Sequence, residues 1–409
     1  MRIFRMLRAG LAVAVCLGAL IAAVRLVVAD DNPASVRRQL AFLRSELESG
    51  AAHDAQAMFP EGYFFLYALY GLTEVDLGLG RPPGERAGEL TAARWALAAL
   101  DSADGRAPFD AGLTPSYGVF YRGWTNWLRG GIVALDPSGP EAARFERDSA
   151  ELAAAFDAAP TPFLAAYPGQ AWPVDSTVAI ASLRLYDKLF PPHADPAPGG
   201  RATPAPRYRA TVDRWLAGAK ERLDPATGLL PHRADVATGA PIEVARGSSQ
   251  SMIQRFLVDV DPAFAAQQYR VFRERFRPWG PAIREFPTGV AGAGDVDSGP
   301  LVLGVSLSAT AVTMGAARVQ GDGRLADALT GLADVAGVPI DTPHARRYAF
   351  GVLPVGDAFV AWSKSARPWV SAPPAGPPPD LAWWWCLPIL TVLLGIAIFS
   401  IFLSGLRAR

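Results

Sequence analysis

The sequence predicts an all-α fold, namely an (α/α)6 toroid built from six helical hairpins over residues 30–370. Helical periodicity recurs in about twelve stretches, whereas the alternation typical of strands is rare. Stretches with one polar face alternate with stretches that are apolar nearly all round, and Gly/Pro-rich loops separate them. Outer helices that cover a ring of buried inner helices would explain this alternation. An α-solenoid is the alternative, but it requires a regular repeat, and these hairpins vary in length without a shared motif.

The N-terminal segment, residues 1–29, has the plan of a signal peptide or of a signal-anchor helix. Three arginines within the first eight residues precede an uncharged apolar run over residues 9–24. The sequence Val27-Val28-Ala29 is compatible with a cleavage site, but Arg25 interrupts the approach to it. A cleaved signal and a retained anchor therefore both stay open, and both export the chain that follows.

The C-terminal segment, residues 381–404, predicts a transmembrane helix. It is uncharged, about as long as a bilayer-spanning helix requires, and begins with three tryptophans. Two arginines follow in the short tail, residues 405–409, so the positive-inside rule places both termini in the cytoplasm. The body would then lie outside the cytoplasm, in a periplasm or outside the cell, tethered to the plasma or inner membrane. Residues 371–380 contain five prolines and predict an extended stalk.

The outer helices are predicted where charged side chains occupy one face of a helical pattern. In the first of them Val36, Leu40 and Leu43 recur at helical spacing with arginines between them. The fifth carries an arginine-rich face that we expect to be solvated, including Arg273. The predicted outer helices are Pro33–Glu48, Gly84–Asp104, Pro140–Ala158, Tyr208–Leu223, Pro262–Phe276 and Gly323–Ala336.

The inner helices are predicted where the pattern is apolar on most faces, which implies burial on most faces. Tyr67 in the first and Leu303 in the fifth are therefore expected to be buried. The predicted inner helices are Gly62–Leu79, Pro115–Leu135, Val174–Phe190, Ser248–Val260, Pro300–Val319 and Tyr348–Trp362.

The composition argues against several functional classes. Because 39 basic residues balance 39 acidic ones, the chain shows no electrostatic footprint for nucleic acid. Both cysteines, Cys16 and Cys386, lie in the apolar end segments, so the body has no thiolate site. The chain has four histidines without metal-ligand spacing, and we expect no metal and no cofactor. Three of these histidines lie in polar or proline-rich surroundings and are expected at the surface: His193, His232 and His344.

Two acidic, glycine-containing loops are the strongest candidates for a site. Asp295 and Asp297 lie in a glycine-rich stretch where Ser298 and Pro300 predict a helix start. Residues 167–177 repeat this design, with aromatic, glycine and proline residues before Asp175. If the N-termini of the two helices that follow these loops lie close together in the fold, the two loops form one site. The alternative is that both aspartates only cap helices.

The segments that lead into the predicted inner helices are unusually rich in polar and aromatic residues. The predicted outer helices begin with proline, glycine or tyrosine and lack such segments. Glu61, for example, stands before the first inner helix, where it provides either a catalytic carboxylate or only a charge at a helix N-terminus. The other candidates from these segments are Tyr63, Tyr117, Gln170, Trp172, Arg246, Gln250 and Tyr348.

The helix alternation, together with these acid-and-aromatic loops, resembles the six-hairpin glycosidase superfamily over most of residues 30–368. The resemblance implies a funnel-shaped site at the starts of the inner helices, with the candidates above contacting a carbohydrate substrate. Trp172 and Tyr117 would be sugar platforms. Arg246 would either bind an anionic substrate group or pair with Glu243.

Glycoside hydrolysis needs one carboxylic acid to protonate the leaving oxygen and one carboxylate as base or nucleophile. Asp175 and Asp297 precede inner helices two places apart around the predicted ring, which favours a gap wide enough for water and hence inversion. Asp297 is expected to be the base, and the acid is either Asp175 or Glu61. Asp295 is expected to matter less.

Two other functional classes stay open at this point. A lyase or isomerase on the same toroid would use a tyrosine or histidine base near an arginine, for which Tyr117, Arg122 and Arg246 are available. A non-catalytic envelope protein could instead bind glycan for envelope polysaccharide machinery.

Overall fold

The computed structural model describes residues 2–192, 205–277 and 279–404, and it confirms a predominantly helical chain. Six helices form an inner ring: α4 (Gly62–Leu79), α7 (Gly118–Leu135), α9 (Pro173–Leu189), α11 (Gly247–Val260), α13 (Leu307–Val319) and α15 (Pro354–Ser365). Six others lie outside it: α2 (Pro33–Glu48), α5 (Ala87–Leu100), α8 (Glu141–Ala158), α10 (Arg209–Lys220), α12 (Pro262–Phe276) and α14 (Gly323–Ala336).

The contacts between helices close the ring. Each inner helix packs on the next in chain order, and α15 packs back on α4. Each outer helix packs on at least one inner helix, for example α5 on α4 and α8 on α7. The predicted (α/α)6 toroid is therefore confirmed, and the solenoid is not, because a solenoid does not join its last helix to its first.

Shorter elements decorate the loops before the inner helices. The helices are α3 (Ala51–Met58) and α6 (Ala103–Arg106). Three antiparallel two-stranded hairpins pair β1 (Arg233–Ala234) with β2 (Pro241–Glu243), β3 (Leu301–Val302) with β4 (Val305–Ser306), and β5 (Ile340–Asp341) with β6 (Arg346–Arg347). All three hairpins precede inner helices, so the added structure accumulates on one side of the ring.

The predicted helix start at Pro300 is wrong. Residues 301–306 form the β3–β4 hairpin, and α13 begins only at Leu307, where the Ser306 side chain caps it by accepting a hydrogen bond from the Ala309 amide. Leu303 is at the tip of this hairpin and is 90% exposed, so its predicted burial is also wrong. Tyr67, by contrast, is buried in α4 as predicted.

Arg273 does not lie on a solvated face, contrary to the prediction. Its side chain is buried on α12, pairs with Asp322 at 3.3 Å, and forms a second ion pair with Asp380. Asp380 also pairs with Arg277. The reason is tertiary, because the proline-rich segment 371–380 passes over this part of the ring. A Cβ at Gly376 would collide with the Gly321 carbonyl, which shows how closely that segment lies on the turn between α13 and α14.

The ring is plugged where the inner helices end. Trp369 stacks on Trp127 with centroids 4.5 Å apart. Its indole donates to Asp76 at 2.7 Å, and its backbone amide donates to Asp259 at 3.0 Å. Arg255 pairs with Asp76 at 3.0 Å in the same layer. With this end filled, access to the ring centre is from the end where the inner helices start.

Two terminal helices, α1 (Arg2–Val27) and α16 (Leu387–Ser404), are long and apolar enough to cross a membrane by length and composition. They pack on each other, and α1 also packs on α14. Residues 405–409 lie outside the described residues.

Candidate active site

Glu61 is the residue that precedes α4. Its side chain does not cap that helix and instead accepts a short hydrogen bond from the Tyr167 hydroxyl. The Glu61 carboxylate therefore makes no capping hydrogen bond, although its charge still lies at the N-terminus of α4. A half-buried carboxylate at the mouth of an inner helix is left facing the loop that precedes α9.

Asp175 lies in the first turn of α9 and is only 5% exposed. Trp172 occupies the N-cap position, and no side chain caps this helix either. The indole of Trp124 on the neighbouring helix α7 donates to the Asp175 carboxyl at 3.4 Å. Burial raises the pKa of Asp175 to about 8, with a further contribution from the charges of Asp297 and Glu61 and only partial relief from the Trp124 hydrogen bond.

Asp297 lies in a turn of the loop before β3 and caps no helix. The Asp295 carboxylate accepts hydrogen bonds from the amides of Asp297 at 3.1 Å and Ser298 at 3.0 Å, which fixes this turn. The Asp297 side chain is open to solvent, yet protein surrounds it on several sides. That burial, with the charges of Asp295 and Glu61, raises the pKa of Asp297 to about 6.

The three carboxylates come together at the open end of the ring. The pKa of Asp175 responds to the charges of both Glu61 and Asp297, and the pKa of Asp297 responds to Glu61. The pKa of Tyr167 is raised by burial and by all three. Among the described residues, no group of three or more His, Cys, Asp and Glu side chains is arranged to hold a metal ion. The carboxylates are therefore near enough to interact electrostatically.

An apolar floor lies beside these carboxylates. Phe65 of α4 contacts Phe120 and Trp124 of α7 at centroid distances of 5.5 and 5.8 Å, and Phe359 of α15 at 5.7 Å. Trp124 links this floor to Asp175 through its indole. Aromatic rings below polar groups are a common arrangement where a protein binds the mixed apolar and hydroxylated faces of a small polar ligand.

Trp172 and Gln170 lie on the loop that carries Tyr167. Trp172 is half-buried and meets the Tyr167 ring edge-on at 5.5 Å. Gln170 is exposed, and its backbone closes the turn with Tyr167 at 2.9 Å. Both therefore lie beside Tyr167, whose hydroxyl donates to Glu61.

Arg246 is buried at the start of α11, and its charge is neutralised within the protein. It donates to Glu285 at 2.8 Å and pairs with Asp295 at 2.5 Å. Glu243, the partner considered from the sequence, pairs with Arg233 instead. Arg246 thus holds the Asp295–Asp297 turn, and it is not a free cation for an anionic substrate group. Asp295 is correspondingly a central part of this turn rather than a peripheral residue.

Two other predicted substrate contacts are used inside the fold. Gln250 is fully buried and donates to the Leu230 carbonyl at 2.6 Å. Tyr348 is buried in a separate charged cluster, where its hydroxyl bonds to Asp334 and accepts from Lys364 at 2.7 Å. Hydroxyl and amide groups that are satisfied internally in this way are not displayed to a substrate.

Tyr63 and Tyr117 pack against other aromatic and basic side chains. Tyr63 is buried between His53 and Tyr67, with centroids 5.0 and 4.8 Å away. Tyr117 contacts Tyr121 at 5.4 Å and lies under the Arg106 guanidinium.

The histidines differ from the prediction in one case. His232 is buried next to Ser249 and Arg246, and burial lowers the pKa of its imidazole to about 4. His344 is exposed as expected. His193 lies outside the described residues.

Comparison with known proteins gives a similarity of architecture. Among solved structures, the chain is similar to the GH76 α-mannanase of Bacteroides thetaiotaomicron, with a TM-score of 0.45 and 10% identity over 73% of this chain and 84% of that one. No protein-family model matches the sequence, and no curated protein matches it. Function therefore has to be inferred from the side chains of this chain.

Proposed function

We propose that this protein is a membrane-anchored, extracytoplasmic glycoside hydrolase that acts on an envelope or secreted polysaccharide with inversion at the anomeric carbon. The observation that carries the proposal is the convergence of Glu61, Asp175 and Asp297 at the only open end of the ring that the described residues form. None of the three side chains makes a capping hydrogen bond to a helix N-terminus.

Asp175 and Asp297 have the properties that an acid and a base require. Burial keeps the Asp175 carboxyl protonated near neutral pH, so it can give its proton to the glycosidic oxygen as the C1–O bond breaks. Asp297 is solvent-accessible and ionised above about pH 6, so it can take a proton from the attacking water. The water oxygen bonds to C1, and solvent then takes the proton from Asp297 and restores the one on Asp175.

Inversion is proposed because the two carboxyl groups belong to elements that are not adjacent. Asp175 is on α9 and Asp297 is on the loop before α13, with α11 between those helices in the ring. No hydrogen bond joins the two side chains among the described residues. A water molecule between the base and the sugar is the arrangement that gives inversion.

An uncharged glycan is the substrate class that this site favours. Several carboxylates surround the site, and the cation beside them, Arg246, is already paired with Glu285 and Asp295. A uronic polymer would meet repulsion there. The lyase alternative is weakened for the same reason, and also because Arg122 is engaged by Asp148 and Glu151.

For the membrane anchor, we propose that α1 is retained rather than cleaved. Leu26 is buried, and a Cβ at Gly331 of α14 would collide with its carbonyl oxygen. Arg25 donates to the Pro339 carbonyl at 3.0 Å and pairs with Asp341 at 3.1 Å. Cleavage after Ala29 would remove groups that are integrated into the folded body.

The buried residues of the two terminal helices support a paired anchor. On α1 the small residues Ala12 and Ala19, seven positions apart, are buried, and on α16 Ala397 and Ser400 are buried. Small residues at heptad spacing allow transmembrane helices to approach closely. Reporter fusions at Pro377 and Arg409, together with the intact mass of the purified chain, test this arrangement. A cytoplasmic Pro377 reporter, or a mature chain that begins at Asp30, would refute it.

The hydrolase assignment is tested with Asp297→Asn in the full chain in detergent micelles. The substrates are oligosaccharides of neutral envelope and secreted polysaccharides, and the anomer first released is identified by NMR. Loss of the base is expected to reduce turnover about 10²-fold or more. Asp213→Asn, on the exposed surface of α10, is the matched control.

Equal turnover by wild type and Asp297→Asn would refute the role of Asp297. Release of the retained anomer would refute inversion. Binding of these glycans without turnover by either protein would favour a glycan-binding envelope protein.

A further inference from the structure

The N-terminal apolar helix α1 joins the body on the side of the ring where the carboxylates lie. Inner helices start at this open end, and outer helices run the opposite way, so α12 and α14 end there. Arg25 of α1 donates to the carbonyl of Pro339, just beyond the end of α14, at 3.0 Å. The carbonyl of the next residue, Leu26, lies beside Gly331 within α14. Thus α1 runs antiparallel to α14, and its earlier residues extend past the open end.

The segments that connect the two apolar helices to the body agree with this direction. After α1, Asp31 pairs at 2.9 Å with Arg318 in the last turn of α13, so the chain runs towards the plugged end before α2 begins. Before α16, the chain leads from the plug at Trp369 to Asp380, which pairs with Arg277 directly after α12. Both apolar helices therefore leave the body towards the open end of the ring.

The open end also carries nearly all of the exposed large apolar side chains of the body. With the exception of Phe190, all of those in the described part of residues 30–370 lie in the segments that lead into inner helices or at the first residue of such a helix. Most belong to the loops before α13 and α15, which flank α14 and hence α1. The loops before α7 and α9, across the ring, have none among their described residues. The rim is thus apolar on the side of α1 and polar on the opposite side.

Four of these side chains form a patch where α1 meets the body, and we call it the rim patch. Val338 directly precedes Pro339, which accepts the hydrogen bond from α1. The Ala349 amide donates to the Gly337 carbonyl at 2.6 Å, so the turn after β6 lies beside Val338. The rim patch consists of Val338, Phe350, Val352 and Leu353, which are between 46% and 80% exposed.

The backbone of the rim patch is strained. Val338, Ala349 and Phe350 have φ angles of 43°, 45° and 61°, in the left-handed region that favours glycine. A β-branched or aromatic residue keeps such a conformation only where the surrounding structure enforces it, and such positions cluster where a protein binds. Exposed apolar patches likewise mark surfaces that contact a protein or a membrane. Because this patch adjoins the last turn of α1, the bilayer that surrounds α1 is the partner that it fits.

We propose that the site opens towards the bilayer that holds α1 and α16, that the rim patch rests in the extracytoplasmic surface of this bilayer, and that the substrate is a neutral glycan attached to a membrane lipid. The inference rests on the proposed membrane anchor and hydrolase function, and it narrows the substrate class of the same site.

The polarity of the rim explains how such a substrate reaches the carboxylates. Asp297 lies on the loop before α13, on the apolar side of the rim, and Asp175 lies in the first turn of α9, on the polar side. A sugar chain that stands on the bilayer would therefore extend between the two carboxyl groups. A lipid anchor also confines the glycan to the membrane that holds the enzyme, which raises its effective concentration at the site. A free polymer has neither advantage.

The orientation is tested by electron paramagnetic resonance of a nitroxide label on the full chain, in nanodiscs of phosphatidylcholine and phosphatidylglycerol. Cys16→Ala and Cys386→Ala remove the native thiols, and Val352→Cys places the label in the rim patch. The matched control is Ser138→Cys, exposed in the turn between α7 and α8 at the plugged end. The ratio of relaxation by oxygen to relaxation by an aqueous nickel chelate should be several-fold higher at the rim patch, because oxygen concentrates in lipid and the chelate does not.

A second label at Phe350→Cys should give the same high ratio, and both positions are exposed, so neither substitution removes a core contact. Ratios at the two rim positions that equal the ratio of the Ser138→Cys control would overturn the proposed orientation.

The substrate class is tested in the same nanodiscs with the unmodified chain. The probe is the neutral oligosaccharide that the hydrolase assay finds to be cleaved fastest, either free or attached to a dialkyl glycerol lipid in the disc. The attached form should be cleaved about tenfold faster or more at equal total concentration, the lower range expected for confinement. A long polyethylene glycol spacer between lipid and sugar should give no gain, whereas a site that faces away from the bilayer would require it.

A double variant separates the contact with lipid from catalysis. Phe350→Ser combined with Val352→Ser should reduce the preference for the attached form several-fold and leave cleavage of the free form unchanged, because neither residue lies among the carboxylates. Equal cleavage of both forms by wild type would overturn the glycolipid substrate and keep the hydrolase. Cleavage of neither form would refute the hydrolase and with it this substrate class, and the labels, which need no turnover, would still decide the orientation.

Discussion

Asp175→Asn should make the protein more stable, and the gain should grow with pH. The Asp175 carboxyl is buried and has a pKa of about 8, against an ordinary value of 3.8. Between those values the unfolded chain releases the proton and the folded chain retains it. Each pH unit in that interval therefore lowers the free energy of unfolding by about 1.4 kcal/mol. From pH 5 to pH 7 the upper limit of the effect is about 2.7 kcal/mol by the same relation.

Asparagine has nearly the same shape, can still accept from Trp124, and does not titrate. The stability of the variant relative to wild type should thus rise by about 1–3 kcal/mol from pH 5 to pH 7, because the other groups titrate alike in both proteins. Thermal unfolding monitored by tryptophan fluorescence at the two pH values measures this, with roughly 2 °C expected per kcal/mol for a domain of this size. Asp213→Asn should show no such pH dependence. A stability difference that stays constant, or that shrinks as pH rises, would refute the burial argument.

Three further predictions concern activity and packing. The rate of hydrolysis should follow a bell-shaped pH profile with limbs near pH 6 and pH 8, from the base and the acid respectively; a single limb in kcat/KM would contradict the pair. Tyr67→Ala should cost about 2–5 kcal/mol in chemical denaturation, whereas Leu303→Ala at the exposed hairpin tip should cost under about 0.5 kcal/mol, and equal losses would contradict this placement. Arg273→Ala should cost on the order of 1–3 kcal/mol, because it leaves Asp322 buried without its cation; a loss below about 0.5 kcal/mol would show that the pair contributes little.

The ring itself could be predicted from the sequence, because a helix that is buried on most faces must carry apolar residues on most faces. The predicted bounds of α2, α4, α12 and α14 coincide with the observed ones. An inner helix must be apolar all round, and this requirement is local to each stretch. Six hairpins, each of one outer and one inner helix, then predict a closed ring.

The β3–β4 hairpin could not be predicted, because its turn lacks the usual signal. The two central residues, Leu303 and Gly304, both have positive φ, at 52° and 80°. Asparagine or aspartate normally occupies the first of these positions. An apolar leucine there made residues 300–306 look like the first turns of an apolar helix.

Long-range ion pairs were equally invisible in the sequence. Arg273 meets Asp380, which is more than a hundred residues away, and no local pattern shows that the two approach each other. The hydrogen bond between Tyr167 and Glu61 could not be predicted for a related reason. The turn that holds Tyr167 is legible in the sequence, but the reach of its hydroxyl to Glu61 depends on how α4 and α9 are placed in the ring.

The same ring geometry would let the proposed acid and base coexist in different protonation states. All inner helices start at one end, so their N-terminal dipoles add a positive potential there, which favours ionised carboxylates. At Asp175 burial outweighs that potential, and the carboxyl stays protonated. Asp297 instead lies on a solvent-accessible loop that caps no helix, where burial is weaker and the carboxylate ionises at lower pH. Depth in the funnel, and not residue type, thus separates the two roles, and moving either aspartate to the other depth would be expected to exchange its protonation state.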